Sequence, residues 1–231
     1  KEFSVGFGHE AMWGGSTEEY GDFPSSFKNF LKVFISADGP LLEGEPHRNA
    51  LGNHLGIWDF YYKKTTQDKI LKIYYQHFFE DTSGLRFTNR IDGLWGLELR
   101  NYIPKTHFLI EYLQTTDQDR TRHNDAYYNH YQYNLGWSYK GYTLGNPFIN
   151  HLEVLPIKVF HLGLSGEIYS NYHYQLKVAR KINISDNEKY EFILTKKFVN
   201  KNQGGIADLS IYISNNQDMK NGVGIRISYR L

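Results

Sequence analysis

Val223-Gly224-Ile225-Arg226-Ile227-Ser228-Tyr229-Arg230-Leu231 alternates at every residue. One side takes Val223, Ile225, Ile227, Tyr229 and Leu231, and the other takes Gly224, Arg226, Ser228 and Arg230. Successive side chains of a strand point to opposite faces, so the segment predicts a β-strand with one apolar and one polar, doubly charged face. The same period recurs upstream. Leu209, Ile211 and Ile213 oppose Asp208, Ser210 and Ser214; Tyr172, Tyr174, Leu176 and Val178 oppose His173, Gln175 and Lys177. Phe160, Leu162, Leu164 and Ile168 oppose His161, Ser165 and Glu167, and Trp95, Leu97 and Leu99 oppose Gly96, Glu98 and Arg100. Leu71, Ile73 and Tyr75 oppose Lys72, Tyr74 and Gln76. The alternation is weaker over 55–62 and 108–113, and the chain opens on one more such segment, Phe3-Ser4-Val5-Gly6-Phe7-Gly8.

The pattern predicts about ten strands of about 8–12 residues, longer than the globular mean of about 5–6. A strand tilted across a bilayer needs about 9–11 residues. The connections predicted between strands differ in length from one side to the other. Turns at 65–68, 103–105 and Ser170-Asn171 are short, whereas 9–53, 80–92 and 116–156 are longer. Outer-membrane barrels carry short periplasmic turns and long external loops. Within the first long connection Phe27, Phe30, Leu31 and Phe34 recur at helical spacing after Pro24-Ser25-Ser26, which predicts a short amphipathic helix folded onto or into the barrel mouth.

Composition sets outer limits. The 231 residues carry 26 Lys+Arg against 25 Asp+Glu, so no basic field for nucleic acid exists. Zero cysteines exclude disulfides, thiolate metal sites and a cysteine nucleophile. A mean hydropathy of −0.57 and the lack of a long apolar run exclude a membrane helix, but not a barrel, whose apolar residues are hidden in alternation. Nineteen tyrosines, 15 phenylalanines and four tryptophans exceed what a soluble core needs, since a buried tyrosine hydroxyl requires a partner. A soluble sandwich also alternates, with its apolar face against a second sheet; strand length and tyrosine content favour lipid. The chain begins already in strand, with no signal peptide, and reads as a single domain, 1–231, cut from something longer.

Polar residues gather at strand ends and in the long connections. The stretches are Gly8-His9-Glu10 through Trp13-Gly14-Gly15, Leu51-Gly52-Asn53-His54-Leu55-Gly56, Tyr75-Gln76-His77-Phe78-Phe79-Glu80-Asp81 through Gly84, and 136–147. Together with Pro24-Ser25-Ser26, Asp92-Gly93-Leu94, Gly136-Trp137 and Gly145-Asn146-Pro147, they make the chain resemble the Bacteroidetes branch of the Wzi capsule-assembly family, over nearly its whole length. The resemblance implies an antiparallel up-and-down outer-membrane β-barrel of about eighteen strands, of which this chain is the C-terminal portion. It also implies a non-enzymatic, lectin-like role in binding or anchoring capsular polysaccharide at the bacterial outer membrane. The partners so implied are that polysaccharide, outer-membrane lipid and the barrel-insertion machinery; no cofactor is implied.

Sugar rings present apolar C–H faces and polar edges, so loop aromatics and amides are the candidate contacts: Trp13, Trp137, Tyr139 and Tyr142, with Asn53, Asp92 and Asn146 as hydroxyl partners. Trp95 and Tyr229 read instead as an aromatic girdle at the lipid boundary. His9, Glu10, His54, His77, Glu80 and Asp81 are residue types able to hold zinc, but none has tight ligand spacing, and the reading adopted is a hydrogen-bonded cluster bracing the loops, with no metal. Arg86, Arg90 and Arg100 suit an acidic polysaccharide, but arginines more often pair with lumen carboxylates such as Glu98 and Glu111, and Arg86 and Arg100 join the bracing set on that reading. Two alternatives remain: an outer-membrane enzyme using the same His/Glu/Asp groups on lipid or glycan, and a passive pore.

Overall fold

The computed structural model describes residues 1–40, 50–117, 127–169, 172–182, 188–199, 206–216 and 219–230. Ten long strands carry the chain: β1 (Glu2–Met12), β2 (Asn53–Thr66), β3 (Lys69–Phe79), β4 (Gly93–Arg100) and β5 (Thr106–Gln114). They continue as β6 (Lys158–Tyr169), β7 (Tyr172–Lys181), β8 (Glu188–Val199), β9 (Ile206–Asn216) and β10 (Met219–Arg230). Each pairs antiparallel with the next, in chain order, as one ten-stranded up-and-down sheet. Among the described residues β1 and β10 each have one neighbour, so the sheet is open. Helices α1 (Phe27–Phe34) and α2 (Thr82–Leu85) lie in the first and second long connections. The Ser170-Asn171 turn lies outside the described residues.

The two faces of the sheet have opposite chemistry. In the β9–β10 register Ile213 stands opposite Val223, Ile211 opposite Ile225 and Leu209 opposite Ile227. Val223, Ile225 and Ile227 are 75%, 71% and 77% exposed. Phe3, Val5, Phe7, Ile73, Trp95, Phe160 and Phe192 also stand exposed on this face. Water-facing sheets bury such residues against a second layer; among the described residues no second sheet lies over them, and such an exposed apolar band is what a barrel presents to acyl chains. Toward the loop end, Phe60, Tyr75, Trp95, Tyr112 and Phe160 follow one another in register on five consecutive strands. Tyr75 stacks on Trp95 at 4.0 Å, and the Trp95 Nε1–H donates to Ile91 O. Tyrosine and tryptophan suit a membrane–water boundary because one end is apolar and the other polar.

The opposite face is polar and internally bonded. Tyr74 lies flat across Gly96, where a Cβ would fall 2.0 Å from the ring, and its hydroxyl donates to Glu111 on β5. Only glycine leaves room for that crossing. His161 Nδ1 meets the other Glu111 oxygen at 2.8 Å. Arg100 pairs with Glu98, and Lys105 Nζ lies 3.0 Å from Glu167.

At the loop end this polar face turns apolar and acquires the main core. Phe78, Leu113, Val159 and Ala179 project from the sheet, and the connection 115–157 lays Tyr127, Tyr128, Trp137, Ile149 and Ile157 over them. The connection therefore fills the space that the first long connection was expected to fill. Helix α1 sits on the other side of the wall. The residue beyond its C-cap, Ser36, meets His9, which shares the outward face with Phe3, Val5 and Phe7. The physical reason is a tether: Ser36 Oγ lies 3.2 Å from His9 Nε2, and Thr82 of α2 donates to Ser36 O.

Candidate functional site

The rim at the loop end is built by three connections. His54 donates from Nε2 to Leu51 O at 2.9 Å, so its Nδ1 accepts the His9 Nε2–H at 2.9 Å. The two imidazoles stack at 5.1 Å. Fully buried His77 places Nε2 2.8 Å from Gly84 O and Nδ1 3.0 Å from the Tyr75 hydroxyl, and Phe87 stacks on its ring at 4.5 Å. Asp81 caps α2, taking Gly84 N–H at 2.7 Å and the Ser83 hydroxyl at 2.8 Å; Glu80 precedes it, and Arg86 forms the C-cap. Glu10 is exposed at the end of β1, and Arg100 belongs to the opposite end of the sheet with Glu98. Among the described residues no three His, Asp or Glu groups converge as a metal-ligand set.

Three of the expected sugar contacts, Asn53, Asp92 and Trp137, are buried in bonds between the sheet end and the connection 115–157. Trp137 donates from Nε1 to Asn53 Oδ1 at 3.2 Å. Asp92 accepts the Asp117 N–H and the Tyr127 hydroxyl, both at 2.7 Å. Asn146 uses its Oδ1 locally on Phe148 N–H at 3.0 Å. Tyr139 and Tyr142 pair on a small exposed hairpin.

Two titrating groups grip this connection with opposite signs. Burial raises the Asp92 carboxyl to about 6 from the ordinary 3.8, against the pull of the donors on Asp117, Tyr127 and Thr116. Burial lowers His130 to about 4 from the ordinary 6.5, assisted by His54 and opposed by its bond to Gly52. A raised carboxyl favours the fold below 3.8 and loses that contribution as pH rises through about 6. A lowered imidazole favours the fold above 6.5 and loses that contribution as pH falls through about 4. Between these limits the two effects oppose each other. Asp92→Asn is expected to make the docked connection loosen on acidification from pH 7 to 4.5, by about 3 kcal/mol at most. His130→Gln is expected to reverse the trend. Limited proteolysis of the connection across that range reads both; identical profiles for wild type and the two variants would refute the assignment.

Beside the buried pairs lies an open cleft of about 230 Å³. Its walls are aromatic: Trp13, Tyr20 and Phe23 from the first connection, Tyr131 and Tyr133 from the third, with Asp22 and Gln132 among them. Phe23 meets Tyr133 at 5.2 Å, Tyr20 meets Tyr131 edge-on at 6.2 Å, and the Tyr133 hydroxyl donates to Gly14 O at 3.3 Å. The floor depends on Gly52, at φ +94, where a Cβ would fall 2.6 Å from Met12 O. Flat apolar surfaces edged by an amide and a carboxylate match a pyranose, whose faces are C–H and whose rim is hydroxyl.

A profile described as capsule assembly protein Wzi matches residues 1–227. The chain belongs to the Wzi capsule-assembly family. Comparison with curated proteins and with solved structures gave no match. Wzi proteins are outer-membrane capsule-assembly proteins, and the open antiparallel meander of this chain is that of part of a Wzi barrel. In this Wzi chain the expected contacts divide. Trp13 lines the cleft, Tyr139 and Tyr142 are exposed elsewhere on the rim, and Asn53, Asp92 and Trp137 are interior. The Tyr229 side chain lies outside the described residues. Sequence reading missed Tyr20, Phe23, Tyr131 and Tyr133. A signal was present: Tyr127-Tyr128-Asn129-His130-Tyr131-Gln132-Tyr133 places four tyrosines in a connection with no strand period.

Proposed function

We propose that this protein anchors surface polysaccharide at the outer face of the outer membrane, in the cleft bounded by Trp13, Tyr20, Tyr131 and Tyr133. The observation that carries the reading is the cleft itself, an aromatic-walled recess with Asp22 and Gln132 at its edge, on the long-loop side of a sheet whose outward face exposes Val5, Ile73, Ile211, Ile225 and Ile227. The role is binding, without catalysis: His77 is fully buried, and Asp81 is spent on capping α2. The unpaired edges of β1 and β10 would each expose a row of backbone donors and acceptors to lipid. Those edges call for further strands that close the barrel, which the family resemblance puts at about eighteen in all, inserted by the barrel-assembly machinery.

Trp13→Ala combined with Tyr131→Ala removes two stacking surfaces, and affinity for purified capsular polysaccharide is expected to fall about tenfold or more, each aromatic contact contributing about 0.5–1.5 kcal/mol. Capsule retention on cells should fall in parallel. A correctly folded double variant that retains capsule and binds polymer like wild type would remove the cleft from this role.

A further inference from the structure

Helix α1 is mounted the wrong way round for a protein in water. Advancing 100° per residue, Phe27, Phe30, Leu31 and Phe34 form one stripe, Lys28 and Lys32 one flank, and Val33 the other. A surface helix normally turns such a stripe toward the core. Here Val33 is the buried residue, whereas Phe27, Leu31 and Phe34 are 74%, 50% and 68% exposed, and Ile35 beyond them is exposed too. The orientation is fixed at three places. Ser26 caps the first turn by accepting Asn29 N–H, Phe30 leans on Trp13 at 5.6 Å, and Ser36 is held by His9 and Thr82.

The exposed stripe continues the outward apolar surface of the sheet. Above the aromatic run, Phe7 packs on Trp58 at 4.6 Å and on Phe79 at 5.7 Å, and Phe79 packs on His9, where the segment leaving α1 arrives. Helix α1 thus stands on the side of the wall that the lipid occupies, at the end where the long connections emerge.

We infer that α1 is an interfacial helix, its Phe27/Leu31/Phe34 stripe seated in the headgroup–acyl boundary of the outer leaflet and its Lys28/Lys32 flank turned to the lipid phosphates. The inference rests on the outer-membrane reading above. An amphipathic helix lying in the membrane plane buries its apolar side about 5–10 Å into that boundary, while lysines reach back to the anionic headgroups. The helix braces the first connection, which carries Trp13, Tyr20 and Phe23, so the cleft is held against the membrane surface on that side.

These 231 residues hold no cysteine, so each spin label is unique among them, any cysteine elsewhere in the full-length protein being first replaced by serine. Leu31→Cys, Phe34→Cys and Lys28→Cys are labelled one at a time in the full-length protein, folded into phosphatidylethanolamine–phosphatidylglycerol vesicles, with Ile225→Cys as a barrel control. Oxygen is expected to collide with labels at 31 and 34 several times more often than a water-soluble nickel chelate does, as at 225, with the order reversed at 28. Nickel access at 31 and 34 with oxygen access at 225 would overturn the helix inference and leave the barrel standing. Nickel access at all four positions would overturn both. Labels at 31 and 34 shielded from both reagents would mean that protein or glycan covers the stripe, and would also overturn it.

Discussion

Ile225→Arg is expected to weaken the protein folded in a bilayer by about 2–4 kcal/mol if the residue lies near the midplane, less toward either surface. Ile225 stands opposite Ile211 in the β9–β10 register and is 71% exposed. In a water-soluble protein so exposed a position tolerates arginine within about 0.5 kcal/mol. In lipid the guanidinium must leave water or drag it into the hydrocarbon. The sign and size of this one substitution therefore separate the two solvents. Ser228→Arg, on the polar face of the same strand, is the internal comparison and is expected to change little. Urea titrations of folding into vesicles give both values. A change within 0.5 kcal/mol of zero for Ile225→Arg would mean that water, not acyl chains, meets the apolar face.

The second large effect is expected at Trp137. Trp137→Ala deletes the largest side chain that the connection 115–157 contributes to the core cluster, which also holds Phe78, Leu113 and Val159. Truncating a buried tryptophan costs about 3–5 kcal/mol. It also strands Asn53 Oδ1, which accepts the indole N–H. The strands keep their own ladders, so the loss falls on docking of the connection. Proteolysis within 115–157 is expected to accelerate by two orders of magnitude or more, and conductance in planar bilayers to rise from a low, closed level. A variant with wild-type protease resistance and conductance would show that the connection is held by contacts other than these.

Much of the sheet was legible because period two survives any tertiary context that keeps one face apolar. β10, β7 and β6 read directly from their sequences. β8 did not, because in its sequence Ile193 shares the period-two positions of Glu191 and Thr195, which blurs the alternation. The alternation of short and long connections was legible too, and the up-and-down order was implied by the family resemblance. The loop-end interior did not, since 115–157 has no period and its buried aromatics cannot be told by type from exposed ones. Trp137 and Tyr139 are two residues apart, one buried and one open. Asp92 and Asn53 looked like sugar partners for the same reason: a carboxylate and an amide suit a buried hydrogen bond as well as a ligand. The cleft was illegible because its walls come from positions more than a hundred residues apart. The helix was legible as an amphipathic element, but its orientation depended on the solvent assumed around it.

The connection that closes the loop end has a consequence for traffic. Tyr127, Trp137 and Ile149 lie packed over the inner face at the loop end, so the described wall offers a polymer no open path along that face. On the anchoring role proposed above, glycan would then reach the rim from outside, and this face of the wall would serve as a mooring.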